Sequence, residues 1–302
     1  IKRGMWCTQA RFSTSDTTSF TQAMLVLLES VNTGKSWRLM FYKLHTEISG
    51  SGEPLVLVHG MGSASSAWKP IRPLLNEFYT VVTVDLPGHG KTPYIKGQPM
   101  DPHSLALGVL EQLSSEGIER FHLAGNSLGG WISLEMASAD PERVRSLIGI
   151  APAGLWHEGP TQLLPPSLFA RILAKCAQYF LRLAYHLPPL KAMGYRKITH
   201  LWRELSFESC KDSVLAMAKS TGYMPMWKAL RGKKFAGHIP PSVPVKIVFG
   251  DYDLTLPHPR AQEREVAPKH SEWITVENCA HVIMWNYPQL TIDFIASHLK
   301  RR

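Results

Sequence analysis

The stretch Phe121-His-Leu-Ala-Gly-Asn-Ser-Leu-Gly-Gly-Trp-Ile-Ser-Leu-Glu-Met-Ala-Ser-Ala139 decides how the chain is read. A short apolar run (Phe121, Leu123, Ala124) leads into Gly125-Asn-Ser-Leu-Gly129, and a helix-forming run follows. Strand, tight turn and helix in that order give Gly-x-Ser-x-Gly its mechanical meaning. A serine on such a turn projects its hydroxyl from the end of a sheet. Glycines two residues to either side let the neighbouring backbone pack without Cβ clashes. A helix opening at Leu128 aims its N-terminal amides, with their partial positive charge, at an anion forming beside the serine.

Outward from this turn, apolar runs alternate with helical periodicity. Upstream, the spacing predicts strands over Trp37–Thr46, Pro54–Val58 and Tyr79–Asp85, with a turn at Gly50-Ser-Gly52. Trp68, Ile71, Leu74 and Leu75 mark a helix, and Ala106, Val109, Leu110 and Leu113 another that stops at Gly117. Downstream come a strand over Arg143–Ile150, then Val243–Phe249 and Glu272–Val276. A short helix is expected near Pro259–Val266, and a last one from Pro288, a residue suited to a first helical position. This alternation specifies an α/β class, a mainly parallel sheet covered by helices on both faces.

The alternation stops at Ala151-Pro-Ala-Gly154 and resumes near residue 241. Residues 155–240 therefore read as an inserted helical cap between two halves of a core, 31–154 and 241–302. Such an insertion lies over the carboxyl ends of the strands, where open α/β sheets bind ligands. It also carries the charge: thirteen Lys and Arg against four Asp and Glu, in a chain whose net charge is +9. Ser167–Tyr185 is expected to place Arg171, Lys175, Gln178 and Arg182 on one helical face and Leu168, Ile172, Cys176 and Phe180 on another. An ordinary solvated face accounts for the cations; attraction of anionic substrates or of an acidic membrane surface is the sharper reading. No interleaving of basic and aromatic residues outside the cap suggests nucleic acid.

The remaining composition narrows the class. With 302 residues and 44% hydrophobic content there is material for one large domain. No run reaches the length of a membrane span. Residues 1–30, rich in Ser, Thr and Gln after an initial Ile, are expected to be a poorly ordered segment, not begun at a natural initiator and without a secretory signal. Cys7, Cys176, Cys210 and Cys279 form no Cys-x-x-Cys pair, so free thiols and a cytoplasmic location are expected. Gly34-Lys-Ser36 and Gly90-Lys-Thr92 end like phosphate-binding loops, but Glu29 and Asp85 stand where the first glycine belongs. No residue spacing calls for a metal or a cofactor.

A serine hydroxyl is a weak nucleophile until a base takes its proton, and the base needs an acid to orient it. Gly250-Asp-Tyr-Asp253 directly follows one late strand, and Asn278-Cys-Ala-His281 the next, giving the order Ser, Asp, His. With His59-Gly-Met-Gly62 and Asp85-Leu-Pro-Gly-His-Gly90, five motifs stand in the order and spacing of one family. Over roughly residues 37–300 the chain resembles an α/β-hydrolase-fold serine hydrolase. The resemblance implies Ser127 as nucleophile, His281 as general base and then acid, Asp253 as its orienting carboxylate, and an oxyanion hole from the amides of Leu128 and Met61. Asp251 is the alternative acid, otherwise a turn residue holding local amides. His59 and His89 are read as architectural, and His270 and His298 as surface residues.

The expected substrate is a small-molecule carboxylic ester with an apolar acyl or aryl part, the cap excluding water over it. A serine rather than an aspartate at the elbow disfavours the dehalogenase and epoxide hydrolase branches. The Gly-Asn-Ser-x-Gly-Gly form is similar to the carbon–carbon hydrolases of meta-cleavage products. However, Val282 replaces their usual tryptophan, and the loop after His59 lacks their Gly-Pro-Gly. A receptor keeping the fold without catalysis, acyl transfer and perhydrolysis are further alternatives, and no feature indicates an oligomeric state.

Overall fold

The computed structural model describes residues 43–299. The first expected strand lies mostly outside these residues, as do the N-terminal segment and Cys7. Within the described residues the run forms a strand, β1, His45–Gly50, which continues past the expected end at Thr46. It runs antiparallel to β3, with His45 opposite Asp85 and Gly50 opposite Thr80. Among the described residues β1 pairs on one side only, with β3, and a strand so placed needs no apolar alternation, so His-Thr-Glu-Ile-Ser-Gly carries little periodic signal.

The chain then continues through β2 (Glu53–Val58), a helical turn at Ser65–Trp68, α1 (Arg72–Leu75), β3 (Tyr79–Asp85), α2 (Pro102–Ser115), β4 (Phe121–Asn126), α3 (Leu128–Ala139) and β5 (Val144–Ile150). Helices α4 (Leu168–Ala177), α5 (Leu181–His186), α6 (Pro188–Tyr195), α7 (Phe207–Lys219) and α8 (Tyr223–Leu230) follow without an intervening strand. The sheet resumes with β6 (Val245–Gly250) and β7 (Glu272–Val276), and the described chain closes with α9 (Ile283–Asn286) and α10 (Pro288–Leu299). Among the described residues the sheet has seven strands in the order β1-β3-β2-β4-β5-β6-β7, all parallel except β1.

Both faces of the sheet are covered, and successive strand residues divide between them. Val56, Val58, Leu123, Leu147 and Ile247 join one core with Val109 and Leu113 of α2 and Trp131 and Ile132 of α3. Leu55, Leu57, Ala124, Ile148 and Val248 join the other with Trp68, Ile71, and Ile292 and Ile295 of α10. The carboxyl ends of the central strands thus open onto one rim, where the loops carrying the sequence motifs gather.

Four local expectations are corrected. Pro259–Val266 holds isolated turns, such as Gln262 N–H to Pro259 O and Val266 N–H to Glu263 O, rather than a helix. Ser167–Tyr185 is not one helix: the chain tightens at Gln178–Phe180 and restarts as α5. The expected separation into a basic and an apolar face does not hold either, because Arg171 turns inward to donate to Ser220 O while Ile172 and Phe180 are exposed. His298 is buried rather than superficial, its Nε2 3.2 Å from Pro244 O at the start of β6.

Candidate active site

Ser127 occupies the junction of β4 and α3 with φ 56° and ψ −120°, a left-handed conformation for a residue with a side chain. The backbone around it is tied on every side. Its amide donates to Ile150 O, and its carbonyl accepts from the amides of Gly130, Trp131 and Ala153. The flanking glycines are required by contact: a Cβ on Gly129 would lie 2.1 Å from Val58 O, and one on Gly125 2.3 Å from Gly129 O. Helix α3 therefore starts against the end of β2, with Leu128 as its first residue, whose amide has no partner within the helix.

His281 and Asp253 come from the loops after β7 and β6. His281 Nδ1 lies 2.7 Å from Asp253 Oδ2, and both side chains are buried. A carboxylate only accepts, so Nδ1 carries the proton and Nε2 is left as the basic nitrogen. Asp253 Oδ1 in turn accepts from the amides of Thr255 and Leu256, at 2.8 Å each. Asp251 does not reach the imidazole; it accepts from Cys279 N–H at 3.0 Å and so pins the loop that bears His281.

A cavity of about 240 Å³ is lined by Ser127, His281 and Met61. The rest of its lining includes residues of the helices between β5 and β6, Leu173 and Ala174 of α4, Leu181 of α5 and Val214 of α7. The lining is predominantly apolar, which excludes water from the serine and strengthens any hydrogen bond made there.

Asn126 is a site residue that reading the motif alone passed over. Its Nδ2 donates to Ile150 O at 3.0 Å and to His281 O at 3.2 Å, tying the serine turn to the histidine loop across 155 positions of sequence. The signal was present in the Gly-Asn-Ser form of the elbow, but which carbonyls it would reach depends on the folded loops. His59 and His89 are packed behind the site. His59 Nε2 accepts from Leu86 N–H while Nδ1–H donates to Gly60 O, and complete burial depresses its basicity. His89 is pushed down to about 3, by burial first and by the neighbouring His59 second. Asp85 holds the amides of Ser65 and Lys91.

The model of the alpha/beta hydrolase family matches residues 55–294. The chain belongs to the alpha/beta hydrolase family. Within that family it is 42% identical over 107 residues to a pimeloyl-[acyl-carrier protein] methyl ester esterase of Legionella pneumophila, a match covering 35% of this chain and 41% of that enzyme. Among solved structures, a membrane phospholipase A described as a bacterial virulence factor superposes with a TM-score of 0.66 at 25% identity, covering 94% of this chain and 93% of that one. A meta-cleavage product hydrolase from Pseudomonas fluorescens shares the alpha/beta hydrolase fold at TM-score 0.65 and 17% identity, over 84% and 93% of the two chains. Among the described residues no helix is long and apolar enough to cross a membrane.

Proposed function

We propose that the chain is a serine hydrolase that cleaves carboxylic esters through an acyl-enzyme. The observation that carries this reading is the 2.7 Å pair of His281 and Asp253, with His281 lining the same cavity as a serine held at positive φ. In the first half-reaction His281 Nε2 takes the Ser127 proton as Oγ attacks the carbonyl carbon. The amides of Leu128 and Met61 donate to the oxyanion that forms. The C–O bond then breaks, and His281 returns the proton to the departing alcohol. In the second half, His281 deprotonates a water that attacks the acyl carbon, and Ser127 leaves with the proton. Asp253 accepts from Nδ1–H throughout, holding the tautomer and stabilising the transient imidazolium.

Residues 155–240 act in this scheme as the cap, supplying the apolar wall against which the acyl group packs. The Legionella esterase similarity, limited to 41% of that enzyme, favours ester chemistry without naming the substrate. The cavity is at the small end of ligand pockets, so short and medium acyl groups are expected to turn over fastest. The test is hydrolysis of p-nitrophenyl esters of increasing acyl length by the wild type and by Ser127→Ala. Turnover should be abolished in the variant with its melting temperature nearly unchanged. A folded wild type inert on every ester would overturn the ester reading, and meta-cleavage dienones would be the substrates to assay next.

A further inference from the structure

The helices that wall the cavity have a second face. On α4, Ala170, Leu173, Ala174 and Ala177 turn towards Ser127. At the complementary helical positions Phe169 and Ile172 face solvent, and Tyr179 and Phe180 in the following turn and Leu183 and Met193 on the next helices do the same, at 47–77% exposure. Burial would put small residues outside and bulky ones inside, so this arrangement is inverted for a helix layer that only covers a site. Seven large apolar side chains, with Leu187 counted, are exposed within 25 residues and form a candidate interaction surface rather than scattered surface hydrophobics.

Charge says what kind of surface it meets. Lys175 on α4 and Arg182 on α5 are exposed, as are Arg196, Lys197 and Arg203 just beyond α6, and no Asp or Glu occurs between residues 159 and 203. Aromatic and aliphatic side chains interleaved with cations, and free of carboxylates, match the interface of an anionic bilayer. Apolar groups enter the headgroup–acyl boundary there, and Lys and Arg stay at the phosphates. A protein partner of ordinary composition would be expected to find acceptors and donors of both signs on this face.

We propose that the outer face of α4, α5 and α6 docks on an anionic lipid bilayer surface, holding the apolar cavity over it. The proposal adds a location to the ester reading and does not depend on it: docking is measured by partition, and hydrolysis by a water-soluble ester.

The experiment is co-sedimentation of the full chain with large vesicles of phosphatidylcholine alone and of phosphatidylcholine containing 30% phosphatidylglycerol, at low and at 0.5 M salt. Two variants accompany it, Phe169→Ser/Ile172→Ser/Phe180→Ser and Lys175→Glu/Arg182→Glu; all five positions are exposed and outside the catalytic constellation. The wild type should partition at least about tenfold more strongly into anionic than into neutral vesicles, with most of the difference lost in high salt. Each variant should lose about tenfold or more in anionic-vesicle partition while hydrolysing a soluble short-chain ester as the wild type does. Equal binding by wild type and variants would overturn the proposal, because another part of the chain would then be responsible. Absence of vesicle binding would overturn it too. So would a wild-type dimer in sedimentation velocity that the apolar variant converts to monomer, since the face would then be covered by a second copy.

Discussion

Asn126 sits next to the serine yet neither touches the reacting atoms nor fills the core. Its two hydrogen bonds join the carbonyl that closes β5 to the carbonyl of His281. Replacing it by alanine leaves two buried carbonyls without this donor, at a cost of about 1–3 kcal/mol. It also frees the histidine loop to drift relative to Ser127. Misplacement of a base by a fraction of an ångström acts on the transition state more than on ester binding. Asn126→Ala should therefore lower kcat by roughly ten- to a hundredfold while KM for a short ester moves less than about threefold. A purely structural residue would lower the melting temperature and leave kcat of the folded fraction intact, and that result would refute the positioning role. Asp253→Asn makes a sharper change at the same site. It keeps the shape but offers a donor to Nδ1, favouring the wrong tautomer, and should cost about 10⁴-fold in kcat. Asp251→Asn, aimed only at an amide of the loop, should cost far less.

At the scale of elements, the elbow shows why a helix can be committed to one place by a residue that has no side chain. Helix α3 begins so close to β2 that a Cβ on Gly129 would lie 2.1 Å from Val58 O and 2.6 Å from His59 O, both backbone atoms that cannot swing away. Gly129→Ala should be destabilising by about 3 kcal/mol, the upper part of the overpacking range, and lower Tm by roughly 6–12 °C. Gly194 near the end of α6 is the opposite case, with nothing within 4 Å of an added Cβ. Gly194→Ala should raise stability by about 0.5–1 kcal/mol through helix propensity alone. Thermal unfolding of the two variants tests the contrast, and a neutral Gly129→Ala would mean that the helix start is not constrained by that contact. The same comparison shows what was legible beforehand. The elbow glycines could be read because their constraint is local, within five residues of sequence. The kink that splits Ser167–Tyr185 into α4 and α5 could not, because the heptad-like spacing of Leu168, Ile172 and Cys176 gives no hint that the partner face is a cavity lined by alanines.

Over the whole molecule, the alternation of strands and helices in a mainly parallel sheet was legible because each buried parallel strand is an apolar run and each covering helix has its own period. The parts that escaped depend on long-range partners: the polar strand β1, recognisable only from its antiparallel pairing with β3, and His298, buried by the start of β6. His59 and His89 belong with the legible residues, since their Gly-flanked turns already marked them as architectural, but their burial has a consequence for the protein as a whole. Their rings lie 5.6 Å apart, fully enclosed behind the strand ends, and both are held neutral by desolvation, His89 down to about 3. In the unfolded chain a histidine titrates near 6.5. Below that pH the unfolded state binds protons that the folded state refuses, so the stability contributed by keeping these rings neutral is fully present above about 6.5 and is lost as pH falls. For His89 alone the loss between pH 7 and pH 5 is about 2 kcal/mol. Denaturant unfolding at pH 7, 6 and 5 should show the wild type weakening across that window. His89→Gln, less stable at pH 7 but with nothing to titrate at that position, should weaken by about 2 kcal/mol less over the same range. Parallel pH dependences in the two proteins would show that His89 accepts its proton in the folded state, and that the packing behind the site tolerates a charge.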